Sequence, residues 1–544
     1  VRPWTRHLLT YRVGAGVLIA LGVVLRLRQW WYARSYWLDE LAVLRNVADR
    51  GYLELLRPLD YYQAAPVGWL WLQRLVADIA GFGERAMRLV PLLFGIALLV
   101  LVAWLARILL TPPGALLVLA FAVVNQYLIY YSNEAKQYTS EAFWVTLLLG
   151  LAVLITRQGL SRRLCLAYWT VATVGALMSM LTVPVTVVAT LILLGNAILA
   201  TSSIRSLQDL RSPENQHIAK QLLVGAPVWV LVVVPLYITV MHPALRNQTL
   251  QDYWSYAYPT RSLWHLGATW AWLRDLTDQV LEVPLDMRFG LLFLLLVAVG
   301  VVRAWMRHGA AVALLLLSPW FIGYAASALS LYPMTHRLAL FGVPAALLLL
   351  GSAADLPRRA AHSAVGPRQW ATMSLVALVM YLFALALLIP QAVTAGRLWR
   401  QPFDGFQHRE QIEYVAAQRS SDSVVLAADN AEFVTDWYAP RVDLPVDAVL
   451  RASTTAEGCN PSALLSELSG HSNAWLILTT PSVPSHVRTY RQQLERHGLQ
   501  VREVPFAGGL LIQYDLAQPP GGPETALPDT GYDCVEVFPN GFIN

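Results

Sequence analysis

The stretch VGAGVLIALGVVLRLRQWWYARSYWLDELAVLRNV, residues 13–47, runs from a membrane-length apolar segment through an aromatic cluster to a pair of acids. A helix needs about 20 apolar residues to cross the hydrocarbon core of a bilayer, and residues 13–30 come close to that length. Trp30, Trp31, Tyr32, Tyr36 and Trp37 follow. Trp and Tyr gather at the lipid headgroup level, so Asp39 and Glu40 are expected at the membrane–water boundary. Acids in that position suit a base acting on a substrate that is half lipid and half water-soluble.

The rest of the chain repeats the apolar theme. It is 56% hydrophobic and 14% charged, where soluble domains average about 25% charged. Apolar runs near 13–30, 86–110, 114–131, 139–156, 164–180, 182–200, 221–241, 288–306, 309–330, 337–353 and 371–392 predict about eleven transmembrane helices. The fold class expected is an all-α polytopic membrane bundle, residues 1–392, followed by a soluble extracytoplasmic α/β domain, residues 393–544.

Charge sets the expected orientation. Arg2, Arg6 and Arg12, then Arg157, Arg162 and Arg163, then Arg205, Arg211 and Lys220 fall on one side of the alternating spans. Arg303 and Arg307, then Arg358, Arg359 and Arg368 join them, outnumbering Arg26, Arg28 and Arg34 at the far end of the first span. Basic short loops stay in the cytoplasm, which places the N-terminus inside and the C-terminal domain outside a cytoplasmic membrane. The net charge of +5 is therefore read as an orientation signal, and no nucleic-acid-binding motif is present. The basic flank VRPWTRHLLTYR without a small-residue cleavage site reads as a signal anchor.

Two long outer loops, 31–85 and 242–287, interrupt the bundle. In the first, Leu41, Leu44 and Val47 mark one face of a helix over 39–50, and Pro66 opens a second apolar helix that Gly81 and Gly83 stop. That second helix is too short to span and is expected to lie in the interface plane. The second loop carries Trp254, Trp264, Trp270 and Trp272. In the C-terminal domain, 423–429, 474–480, 501–506 and 510–516 read as strands and 487–498 as a helix stopped at Gly498. The tail 518–531 is turn-rich. Cys165 reads as packing, whereas Cys459 and Cys534 share the outer domain, where an oxidising compartment would permit a disulfide.

Three constellations carry candidate chemistry, all on the expected outer side. Asp39 and Glu40 sit at a helix start, where the dipole and free N–H groups favour an ionised carboxylate that can take a proton from a hydroxyl. Residues of these types also serve simply as helix caps. YYSNEAKQY, residues 130–138, brings Glu134, Lys136 and Tyr138 within about one helical turn, with Lys136 a compact cation suited to phosphate. LYPMTHRLALFGVP, residues 331–344, places His336 and Arg337 at a span mouth, where Arg337 can fork onto phosphate oxygens. Lys and Arg in such places also snorkel without further function. The convergence of a carboxylate pair, a Lys and an Arg at one depth favours a site.

WLDE (37–40), QAAPVGWL (63–70), YYSNEAKQY (130–138) and HRLALFGVP (336–344) together resemble motifs of the GT-C glycosyltransferase superfamily. The similarity is to the branch holding protein O-mannosyltransferases and the lipid A aminoarabinose transferase, and covers about residues 10–350. It implies a GT-C bundle, a polyprenyl-phosphate sugar donor, and inverting transfer to an acceptor hydroxyl of a protein, lipid or glycan at the outer face. It also implies Asp39 as the catalytic acid position, and Arg337 and Lys136 as contacts to the donor phosphate. Glu40 is read as the second member of the catalytic pair, positioning the acceptor or supporting Asp39, and Glu134, Tyr138 and His336 are candidate substrate-binding residues. Many relatives carry paired prolines where this chain has Gln63-Ala64-Ala65-Pro66, and the C-terminal domain matches no acceptor module. No cofactor is required; a divalent metal on the carboxylates is compatible with the sequence. The alternatives are a transporter or flippase of a lipid-linked solute, marked by intramembrane ionisable residues, and a membrane receptor or scaffold.

Overall fold

Backbone groups in hydrocarbon have no water to bond, so an apolar run there satisfies its own N–H and C=O groups by coiling into a helix. The computed structural model describes residues 3–201, 213–261, 263–356, 367–428, 430–445, 448–452, 468, 470–480 and 484–517. Among the described residues, nine helices are long and apolar enough to cross a membrane. They are Tyr11–Tyr32, Glu84–Leu109, Tyr138–Gln158, Thr182–Leu199, Ala226–Leu245, Gly290–His308, Ala310–Ala328, His336–Ala354 and Thr372–Arg400. Leu291, Leu295, Val302 and Trp305 of one helix are all exposed, an apolar face that lipid accepts and water does not. The chain is a multi-pass membrane protein with a helical bundle and a C-terminal α/β domain.

Two of the eleven expected spans take a different form. The run 114–131 breaks at Asn125 into Pro112–Val124 and Gln126–Tyr131, because the Asn125 side chain accepts the Leu128 N–H at 2.8 Å and caps a new helix. The run 164–180 is the helix Arg162–Met178, whose 17 residues stop short of a comfortable crossing. The last helix runs past residue 392 to Arg400. Arg205, Arg211, Arg358 and Arg359, Cys459 and Cys534, and the tail 518–531 lie outside the described residues.

The chain packs as two compact units, Val1–Tyr32 with Val47–Pro402, and Ala33–Asn46 with Phe403–Asn544. In the first unit, the fully buried Arg26 of the opening helix donates to the Gly22 carbonyl (3.1 Å), the Ala122 carbonyl (3.2 Å) and Ser132 Oγ (3.2 Å). A guanidinium in a bundle interior is tolerable only when its donors are used in this way. Gly300 lets the helices Gly290–His308 and Val343–Ala354 touch, since a Cβ there would lie 1.9 Å from the Leu349 carbonyl oxygen. At the far end of that second helix the buried Asp355 pairs with Arg307 and accepts the Thr111 N–H at 3.0 Å. The short helix expected after Pro66 forms: Pro66 precedes the 14-residue helix Val67–Ala80, and Gly81 ends it at φ 74°.

The second unit holds a five-stranded sheet of β1 (Ser423–Ala428), β2 (Val449–Ala452), β3 (Asn473–Thr479), β4 (Leu499–Phe506) and β5 (Gly509–Asp515). The order is β2-β1-β3-β5-β4, with β2, β1 and β3 parallel and β5 antiparallel to both β3 and β4. The apolar runs in β1 and β3 are buried along nearly their whole length, as the core of a sheet covered on both faces requires. Two helices, His408–Gln418 and Asn430–Tyr438, were not legible in the sequence, nor was the four-residue β2.

Candidate active site

Residues 132–137 form a tight series of turns between the helix ending at Tyr131 and the one opening at Tyr138. The Lys136 N–H donates to the Glu134 carbonyl at 2.7 Å, and the side chains of Glu134 and Lys136 are both buried. Lys136 Nζ lies 2.7 Å from Gln63 Oε1, and Gln137 Nε2 lies 3.4 Å from the Ala64 carbonyl. The turn is thereby tied to the segment that precedes Pro66. Gln63 also lines a small open cleft together with Leu55, Arg57, Val240, Asn247 and Leu250.

Arg337 reaches the same turn from 199 residues away, its Nε donating to Tyr138 Oη at 3.0 Å. Its guanidinium carbon stands 5.4 Å from the centre of the Trp254 ring, close enough for a cation–π contact that fixes the plane of the fork. Tyr138 in turn packs edge-on against Tyr131 at 5.3 Å. The first unit thus brings Lys136, Tyr138 and Arg337 into one cluster. His336 borders the cluster: its Nδ1 is 2.6 Å from Thr335 Oγ1, its ring meets Tyr256, which packs on Trp254, and its φ of 43° marks a strained turn.

Three residues of this cluster carry no site role in the sequence reading. Gln63 is the acceptor for Lys136, and Trp254 is the platform for Arg337. Tyr332 is the third: burial pushes its phenol well up, with Glu141, Tyr138 and Tyr258 adding and Arg337 opposing. The signals available were weak, a lone Gln in an aromatic loop and a Tyr five residues before Arg337.

Asp39 and Glu40 belong to the second unit. The helix Leu38–Asp49 opens with Trp37 as its cap, since Leu41 N–H donates to the Trp37 carbonyl at 3.0 Å. Glu40, fully buried, reaches back to accept the Trp37 N–H at 3.3 Å, the return arm of a capping box. Asp39 stands in the first turn, only 6% exposed. Leu41 and Leu44 are fully buried, which is why the amphipathic pattern fixed this helix. Among the described residues, no group of three or more His, Cys, Asp or Glu side chains is placed to hold a metal ion.

No protein-family model and no curated protein matches the chain. Solved structures do. The chain is similar to ArnT from Cupriavidus metallidurans. Bound to undecaprenyl phosphate, that protein is 12% identical with a TM-score of 0.48, over 93% of this chain and 97% of that one. In the apo state the values are 13% and 0.49, over 96% and 99%. The oligosaccharyltransferase of Archaeoglobus fulgidus, in complex with zinc and sulfate, is 12% identical with a TM-score of 0.49, over 92% of this chain and 73% of that one. Likenesses at these scores do not decide chemistry, and the functional reading rests on the chain's own residues.

Proposed function

We propose that the protein is an inverting glycosyltransferase that moves a sugar from a polyprenyl-phosphate donor to an acceptor hydroxyl at the outer face of the membrane. The observation that carries this reading is that two cations from distant parts of the sequence gather at one end of a buried turn: Lys136 stands on it, bonded to Gln63, and Arg337 bonds Tyr138 two residues further on. A phosphate monoester leaving group needs positive charge already oriented where its negative charge develops.

The reaction assigns each residue a distinct role. The acceptor oxygen attacks the anomeric carbon, and the bond from that carbon to the phosphate oxygen breaks with its electron pair going to the phosphate. Asp39 accepts the hydroxyl proton as general base. Lys136 and Arg337 neutralise the departing polyprenyl phosphate, with Tyr138 orienting the guanidinium. Glu40 holds the first turn of the helix on which Asp39 stands. Apolar helix faces take the prenyl tail.

The test is release of free polyprenyl phosphate by purified protein given a panel of polyprenyl-phosphate sugars and candidate acceptors, with Asp39→Asn beside wild type. Release that depends on Asp39 supports the reading and identifies the donor. Full turnover by a folded Asp39→Asn protein dismisses the base assignment, and translocation of a lipid-linked solute without release favours the transporter.

A further inference from the structure

The segment that carries Asp39 belongs to the same compact unit as the C-terminal α/β domain, Ala33–Asn46 with Phe403–Asn544. Its anchors flank the carboxylate closely. Four residues before Asp39, Ser35 Oγ donates to the Glu410 carboxylate and accepts the Arg409 N–H at 3.0 Å. Three residues before, the Tyr36 N–H donates to Tyr438 Oη at 2.8 Å, and the fully buried Tyr36 ring stands edge-on to Trp437 at 6.1 Å. Two residues before, Trp37 stacks on Phe406 at 5.5 Å and an interplanar angle of 20°.

Six residues after Asp39, Arg45 closes the clamp. Its Nη2 donates to the Phe433 carbonyl at 2.9 Å and lies 3.5 Å from Asp436 Oδ2, and its guanidinium carbon sits 4.0 Å above the Phe433 ring. One donor set therefore makes a hydrogen bond, an ion pair and a cation–π contact to the single helix Asn430–Tyr438. That helix also supplies Tyr438, so it grips the Asp39 segment on both sides.

From this geometry we infer that the C-terminal domain acts as the positioning platform of the catalytic carboxylate, with Arg45 and Tyr438 as positioning residues. This rests on the base role given to Asp39 above. A base must be held within about 0.5 Å of its working place, and about 1 Å of error costs on the order of a hundredfold in rate. The loop between two membrane helices does not supply such precision alone; a packed domain does. A domain built to bind the acceptor would act on acceptor affinity instead.

The test compares full-length wild type with Arg45→Met, Arg45→Lys and Tyr438→Phe, using the panel donor and acceptor that wild type turns over. Tyr438→Phe deletes only the oxygen that receives the Tyr36 N–H. The expected result is a kcat lowered about 10- to 100-fold in Arg45→Met, with KM for donor and acceptor within about threefold. Arg45→Lys, which keeps the charge toward Asp436, is expected to recover part of that loss. Hydrogen exchange of residues 36–44 is expected to quicken in Arg45→Met and Tyr438→Phe while β3 keeps its protection. Unchanged exchange, or a raised acceptor KM at unchanged kcat, overturns the platform. If wild type releases polyprenyl phosphate from no donor, the glycosyl-transfer reading fails, and the exchange measurement still judges the anchoring by itself.

Discussion

His408 gives the C-terminal domain a defined acid sensitivity. It opens the helix His408–Gln418, is fully buried, and neither ring nitrogen meets a hydrogen-bond partner among the described residues. Burial pushes its pKa down to about 4, with the Glu410 carboxylate pulling weakly the other way. In the unfolded chain the ring titrates near 6.5. Because the folded value is the lower one, the stability is fully present above about pH 6.5 and is lost as pH falls through about 4. At about pH 5 the unfolded chain binds the proton some thirtyfold more readily, which removes about 2 kcal/mol; the full gap approaches about 3 kcal/mol below pH 4. The assay is hydrogen exchange at the β3 and β5 amides of the full chain in nanodiscs, from pH 7 to pH 4.5, corrected for intrinsic exchange rates. His408→Leu, which keeps an apolar side chain of similar bulk without a proton site, should lose that part of the pH dependence. If both proteins weaken in parallel on acidification, burial of His408 is not the cause.

Asp286 carries the opposite sign. Burial raises its pKa to about 6, against the pull of Gln126 and Arg288, so the stabilisation present below about pH 4 is lost as pH rises through about 6. Asp286→Asn keeps an acceptor for Gln126 and tolerates the φ of 59°, and should raise the melting temperature above pH 6 while leaving it nearly unchanged near pH 4; a lower melting temperature at pH 7 refutes this. Arg337→Ala should reduce donor affinity and turnover together, by about 10- to 1000-fold in kcat/KM, and wild-type values of both would remove the phosphate role. Gly300→Ala drives a methyl into the Leu349 carbonyl and should destabilise the bundle by about 1–3 kcal/mol, measured as thermal unfolding in detergent; a neutral effect would mean the two helices separate easily.

Length, composition and apolar runs determined the helical bundle, because a bilayer fixes how many apolar residues a crossing takes, and that requirement is written locally. The same is true of the helix over Asp39 and of the one between Pro66 and Gly81, whose caps and apolar stripes lie within a dozen residues of each other. Where a local signal competes, a run need not be a crossing: the run 114–131 contains Asn125, a cap that starts a new helix. The partners of the candidate site residues were decided only by the tertiary structure. Gln63 meets Lys136 across 73 residues and Tyr138 meets Arg337 across 199. Likewise, nothing in WLDELAVLRN says that it packs against a helix some 390 residues later, through Arg45 on Phe433 and Asp436. Periodicity reports whether a side chain is buried; it does not report what lies on the other side of the contact, which depends on how distant segments share the same space.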